Sequence, residues 1–362
     1  MRVSSIACAT VTALLLSGCG GSGSSTERDC IGYLYSANTL DNDVAKWMVV
    51  PPGGTLQPFV PFTTPADSVD GQPGPETIAV HPTHHFLYVT NQNTNLVSEY
   101  RIVEGGGLIH LGAVASGPGP SDVAFGAGGA FAYVANNGAT TVSEYRVNGN
   151  GTLTPIGTLD IGAGAGYIAM DPATNLGYVT SFTANTITQV APKLDGTLTK
   201  LGTVATGPGP FACAIDPKDR YVYVTNFFAN AISEYRIASD GSLIPNGTVA
   251  AGSAPAFPTI DPTGTFVYVP SLHGTDIEEY RIQADGTLAA FGDVAGGNAP
   301  VNLALSSPAG FAYVAATGDN AIRVYSVASD GSLSFLNSVQ SGSAPSPSKP
   351  NGGEPVYVLF AD

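Results

Sequence analysis

Between Pro210 and Ala254 the chain reads Phe211-Ala-Cys-Ala-Ile215-Asp216-Pro217, then Tyr221-Val-Tyr223-Val-Thr-Asn226, then Ile232-Ser-Glu-Tyr235-Arg236-Ile237, then Asp240-Gly241-Ser-Leu243 with Gly247-Thr-Val249. These are four short apolar-alternating runs (A to D) separated by turn residues, the pattern of strands with one buried face. Asp216-Pro217 opens the A–B turn, and Asp240-Gly241 predicts a two-residue hairpin between C and D.

The same unit fills the rest of the chain. The tyrosine of run B recurs at Tyr88, Tyr133, Tyr178, Tyr223, Tyr268 and Tyr313, in steps of 45. The hairpin pair recurs at Asp195-Gly196, Asp240-Gly241, Asp285-Gly286 and Asp330-Gly331, with Asn150-Gly151 in phase. The proline before run A recurs at Pro75, Pro120, Pro210, Pro255, Pro300 and Pro345, and Ala165 fills the gap. A four-stranded repeat near 45 residues is the signature of propeller blades, which must stack radially to bury both faces. The expected fold is all-β: a seven-bladed β-propeller of four-stranded antiparallel blades.

The ends of the chain decide how the ring closes. The chain enters at Gly32-Tyr33-Leu34-Tyr35, a B run, and Val44-Ala-Lys-Trp47 is a C run. Six complete units follow, so the seventh A run must come from the C-terminus. Ser346-Pro347-Ser-Lys-Pro350 has the right phase, but its prolines would remove ladder donors. Glu354-Pro355-Val-Tyr-Val-Leu359-Phe360 is out of phase yet carries an unbroken apolar run. It is expected beside Tyr33–Tyr35, leaving the sheet without an open edge.

Residues 1–18 read as a signal peptide: Arg2 is the positive end and Val3–Leu16 the apolar segment. Residues 19–30 form a flexible Gly/Ser tether, and 31–362 the propeller. The chain has 13 basic and 28 acidic side chains. Such acidity argues against nucleic acid or anionic lipid as a partner. Cys213 reads as a small core residue, with a Cys30–Cys213 disulfide as the alternative, and no cysteine spacing suits zinc.

Tyr-Val-Thr-Asn at 88–91 and 223–226, Asp-Pro-x-Gly at 261–264 and Asp-Gly-Thr-Leu at 195–198 and 285–288 resemble the YVTN/lactonase-like seven-bladed propeller family, over essentially all of 31–362. That family includes 6-phosphogluconolactonase-like and muconate-cycloisomerase-like enzymes, surface-layer proteins and many proteins without an assigned role. Leu16-Ser17-Gly18-Cys19 resembles a bacterial lipobox, which implies lipidation of Cys19. With Gly20 behind it, the resemblance implies export to the outer membrane, held there by the lipid anchor alone.

Function has to be read from the loops, since a fold does not settle it. The D–A and B–C connections converge on the axis and offer Asn91, Asn136, Phe182, Asn226, Phe227, Phe228, His273 and Asp319. Amides beside aromatic platforms suit a neutral polar small molecule or a peptide, which makes a binding or scaffold module the first expectation. The insertion Thr63–Pro73 is long enough to cover that mouth. The alternative is a lactonase. In the family an Arg-His pair follows the A-run proline, whereas here those positions are Glu76-Thr77, Ser121-Asp122, Gly166-Tyr167, Phe211-Ala212, Ala256-Phe257, Val301-Asn302 and Val356-Tyr357. An enzyme built on this mouth would rely on His273, Asp122 and Glu76. No residues are arranged to hold a metal or cofactor, so a redox-partner propeller finds no haem or copper ligands.

His81, His84 and His85 crowd into one A–B turn and read as surface. Ser-Glu-Tyr-Arg at 98–101, 143–146 and 233–236 places Glu and Arg on one strand face, where mutual pairing would account for both.

Overall fold

The computed structural model describes residues 32–38, 43–50, 53–58, 74–306, 310–341 and 355–361. Cys19, Cys30, the Thr63–Pro73 loop and the 346–350 segment lie outside the described residues. Seven antiparallel sheets of four strands each make up the molecule. Blade 1 combines β1 (Gly32–Asn38), β2 (Asp43–Val50) and β3 (Thr55–Pro58) with the final strand β28 (Pro355–Ala361). Blade 2 runs from β4 (Pro75–Val80) to β7 (Leu108–Ala115), blade 3 from β8 (Pro120–Phe125) to β11 (Leu153–Asp160), and blade 4 from β12 (Ile168–Met170) to β15 (Leu198–Ala205). Blade 5 holds β16 (Pro210–Ile215), β17 (Tyr221–Asn226), β18 (Ala231–Ile237) and β19 (Leu243–Ala250). Blade 6 runs from β20 (Thr259–Ile260) to β23 (Leu288–Ala295), and blade 7 from β24 (Pro300–Ser306) to β27 (Leu333–Gln340). Neighbouring A strands touch one another around the axis, while the D strands lie largely open at the rim, with only the leading leucine of strands such as β7 and β19 buried.

Ring closure falls where the sequence puts it. β28 pairs with β1, Leu359 opposite Tyr35 and Phe360 opposite Leu34. Pro355 faces Asn38 as Pro75 faces Asn91 and Pro210 faces Asn226. Pro355 therefore takes the leading place of the seventh A strand, displaced ten residues from the 45 register. A leading proline is tolerated because the first residue of a strand can do without its N–H.

Each letter of Tyr-Val-Thr-Asn has a separate structural reason. The tyrosine hydroxyl donates to a glycine carbonyl in the next blade's C–D turn. The seven bonds run Tyr35–Gly106, Tyr88–Gly151, Tyr133–Gly196, Tyr178–Gly241, Tyr223–Gly286, Tyr268–Gly331 and Tyr313–Gly54, at 2.7–3.3 Å. The valine fills the core between sheets, as Val224 and Val89 do. The threonine hydroxyl accepts an A-strand N–H: Thr90 from Thr77, Thr180 from Tyr167 and Thr225 from Ala212. It replaces the ladder bond lost where the A–B register shifts. The asparagine amide donates to the serine hydroxyl of run C, Asn91 to Ser98, Asn136 to Ser143 and Asn226 to Ser233, at 2.8–3.0 Å.

Three local expectations need correction. The Asp-Gly turn is not a two-residue hairpin, because only the glycine takes positive φ (Gly241 at 82°). The loop spans Ala238 to Ser242, and the Asp240 carboxylate accepts from the Ser242 N–H and hydroxyl. Glycine is also required there by space: a Cβ on Gly286 would come within 2.0 Å of the Tyr221 ring. The run-C glutamates do not pair with their arginines. Glu99, Glu144, Glu234 and Glu279 each accept from a leucine N–H in the next blade, at 2.7 Å (Leu153, Leu198, Leu288 and Leu333). A backbone N–H with no ladder partner needs an acceptor more than an exposed guanidinium does. Lys46 holds the equivalent place in blade 1 and donates instead to the Gly105 carbonyl. Third, His81 and His84 are buried rather than on the surface, and His81 bridges to the Gly129 carbonyl of blade 3 at 2.9 Å. Cys213 is buried and free, as a core residue.

Candidate functional site

The residues that follow the A-strand prolines line the axis and divide into two sides. Blades 2 and 3 contribute Glu76, Thr77, Ser121 and Asp122, all buried. Blades 4, 5 and 6 contribute Tyr167, Phe211 and Phe257, packed with ring centroids 5.2–5.7 Å apart. The Tyr167 hydroxyl crosses between the sides and donates to Glu76 Oε1 at 3.5 Å.

Burial pushes the Glu76 carboxyl well above the usual carboxylate range, the charge of Asp122 adds to this, and the Tyr167 hydroxyl opposes it. Burial does the same to Asp122, against the N–H groups of Ile168 at 3.1 Å and Val123 at 2.9 Å. Two like-charged groups in an enclosed apolar setting cannot both ionise cheaply. Burial therefore holds both carboxyls toward their protonated form, with a phenol beside Glu76. Among the described residues that follow the leading positions of the A strands in blades 2 to 7, Glu76-Thr77, Ser121-Asp122, Gly166-Tyr167, Phe211-Ala212, Ala256-Phe257 and Val301-Asn302, none is Lys, Arg or His.

From Phe211 the aromatic packing continues outward. Phe227 lies 5.8 Å from Phe211, Phe182 and Phe228 lie 5.9 and 5.3 Å from Phe227, and the His273 ring stands edge-on to Phe227 at 5.0 Å. Phe228 is 61% exposed and forms the outer end of this shelf. His273 is exposed.

Of the residues singled out in the sequence, Phe182, Phe227, Phe228 and His273 meet at one mouth, and Glu76 and Asp122 meet below it at the axis. The three asparagines stand apart from both groups. Asn136 and Asn226 are fully buried, and their amides are spent on the run-C serine and turn carbonyls. Asn91 bonds Ser98 and the Val89 carbonyl. Asp319 accepts from the Asn298 N–H at 2.9 Å and faces Arg323 at 3.8 Å, at the edge of blade 7. Tyr167, Phe211 and Phe257 were missed as a group. Their signal is their place one or two residues after the leading position of an A strand, Ala165, Pro210 or Pro255. Among the described residues no three His, Cys, Asp or Glu side chains cluster to hold a metal ion.

Blade number and strand order define a seven-bladed propeller of four-stranded antiparallel blades. The chain belongs to the lactonase, seven-bladed β-propeller family, whose model matches residues 30–159, 148–248 and 240–357. The periplasmic gluconolactonase of Pseudomonas aeruginosa shares the fold with a TM-score of 0.79 at 16% identity, covering 91% of this chain and 99% of that one. A candidate 6-phosphogluconolactonase of Bacteroides fragilis has a TM-score of 0.79 at 16% identity, over 94% of this chain and all of that one. Another, from Bacteroides uniformis, has a TM-score of 0.78 at 18% identity, over 91% and 99%. At such identities the likeness is one of fold. No curated protein matches the sequence.

Proposed function

We propose that the protein is an envelope-tethered hydrolase of a cyclic ester, with its chemistry at the axis beneath the aromatic mouth. The observation that carries this reading is the Glu76–Tyr167 contact: a phenol against a buried carboxyl that burial holds toward its protonated form, in a chain of the lactonase family. When water adds to a lactone carbonyl, negative charge develops on its oxygen, and neutral donors in a low-dielectric pocket stabilise that charge. The Glu76 carboxyl also holds a proton for the ring oxygen as the acyl C–O bond breaks. The base that takes the proton from water is His273, the histidine of the mouth. The product is an open hydroxy acid. The shelf of Phe182 and Phe228 receives the ring face of the substrate.

The test is a panel of gluconolactone-type substrates, followed by proton release. Hydrolysis should exceed the buffer rate and saturate. Glu76→Gln and His273→Ala should each lower kcat by about 10²-fold or more, the usual contribution of a positioned acid or base. Phe228→Ala should raise KM with little change in kcat. A second reading is favoured by the same exposed shelf: binding of a neutral polar molecule or a peptide without chemistry. Saturable binding with no hydrolysis across the panel would replace the first reading with the second.

A further inference from the structure

The A–B turns, away from the aromatic mouth, enclose a cavity that lactone chemistry does not use. It occupies about 290 Å³ among the A–B turns of blades 4, 5 and 6. Met170, Ile215, Ile260 and Leu305 give it apolar walls, and its charged groups are Asp171, Asp216 and Asp219.

We propose that this cavity binds a small organic ammonium ion, with its nitrogen between Asp216 and Asp219 and its hydrocarbon body against Met170, Ile260 and Leu305. The carboxylates differ in how well they are already satisfied. Asp171 accepts from the Ala173 N–H at 2.8 Å and from the Thr174 hydroxyl. Asp261, in the neighbouring turn, accepts from the Thr265 and Phe266 N–H groups at 2.7 and 2.6 Å. These two serve their own turns. Asp216 is fully buried, and its Oδ2 accepts from Arg220 Nε at 2.7 Å. Its Oδ1 is buried with no hydrogen-bond donor. An orphaned carboxylate oxygen in such a place is costly unless something donates to it.

Asp219 sits against other acids. Burial raises its pKa to about 6, and the charge of Asp171, a hydrogen bond shared with Asp171 and the charge of Asp216 all act in the same direction. Arg220 is committed to Asp216, and Lys218 of the same turn is exposed. Three acids beside a single engaged guanidinium leave negative charge without a counter-ion. A monocation would neutralise it, and its N–H groups would meet Asp216 Oδ1. A hard divalent ion wants six or more oxygen ligands, which walls of carbon do not supply. An ammonium on an apolar stem uses both kinds of surface.

Calorimetry with 2-phenylethylammonium on the full chain tests the proposal, with 2-phenylethanol as the uncharged ligand of like shape. At pH 7.5 the ammonium should bind one to one and at least tenfold more tightly than the alcohol. At pH 6, titrations in two buffers of different ionisation heat should show proton release, because a bound cation favours the ionised form of Asp219. Asp219→Asn should weaken the ammonium at least tenfold and leave the alcohol unchanged; asparagine keeps a hydrogen-bonding group beside Asp171 and tolerates the positive φ of 56° at this position, so the melting temperature should hold. The alcohol comparison needs no variant and decides alone if the variant misfolds. Equal affinity for alcohol and ammonium, no saturation below millimolar ligand, or displacement of the ammonium by micromolar calcium would each overturn the proposal.

Discussion

The hydroxyl of Tyr313 donates to the carbonyl of Gly54 at 3.3 Å, across 259 residues of chain. It is the same bond that Tyr268 makes to Gly331 one blade earlier, only 63 residues away. Six short-range copies and one long-range copy complete a circle of interblade bonds. All seven tyrosine rings are buried.

Each of these hydroxyls serves a carbonyl with no water to replace it, so Tyr→Phe should cost about 1–3 kcal/mol at any position, the penalty for orphaning a buried acceptor. Tyr223→Phe and Tyr313→Phe, compared by urea unfolding, should give similar losses. A Tyr313→Phe protein as stable as the wild type would mean that the closing interface does not depend on this bond.

Removing residues 355–362 takes away β28 and leaves β1 as an open inner edge. The truncated protein should melt at a markedly lower temperature and aggregate, since an unpaired flat edge templates further pairing. Replacing 346–350 by Gly/Ser should be nearly neutral. Light scattering during a thermal ramp separates the two, and equal damage from both would contradict the assignment of closure to β28.

The axial acids give stability an inverted pH response. Burial makes the folded chain hold the Glu76 proton more tightly than the unfolded chain, whose ordinary value is 4.5. The folded state then binds more protons, so this contribution is full below pH 4.5 and is lost as pH rises through the elevated native pKa. His81 acts the other way: burial lowers its pKa, and stability falls as pH drops below 6.5. Glu76→Gln isolates the first effect. The variant should gain melting temperature relative to wild type as pH rises from 5 to 8. A constant difference across that range would show that Glu76 is ionised in the native state.

The proposed anchor is tested by Cys19→Ser, which should move the protein from the membrane fraction to the soluble one without altering its melting temperature. Retention in membranes after a high-salt wash would exclude lipidation at Cys19. Among the described residues no helix is long and apolar enough to cross a bilayer.

The fold was legible because a blade repeats, and repetition exposes the residues that every copy needs. Tyr223, Thr225 and Asn226 are visible in the sequence for the same reason that they matter in the structure: each fixes a contact that recurs with every blade. The site was only half legible. Glu76 and Asp122 stood out as acids where neighbours are apolar, but Tyr167 is 91 residues from Glu76 and looks like one more buried aromatic. Asn136 and Asn226 misled because turn closure and ligand display call on the same amide. Glu144 misled because its acceptor role is met by Leu198 of another blade, beyond the reach of any argument made on one strand.

The sharing of blade 1 between both ends of the chain has a consequence for biosynthesis. Blades 2 to 7 can each assemble their sheets as the nascent chain emerges, because every strand they need arrives within about one period. Blade 1 is begun before them, yet its inner strand β28 is made after all of their strands. β1 must therefore keep its free edge unpaired until blades 2 to 7 have been synthesised, and the circle is joined only when β28 arrives.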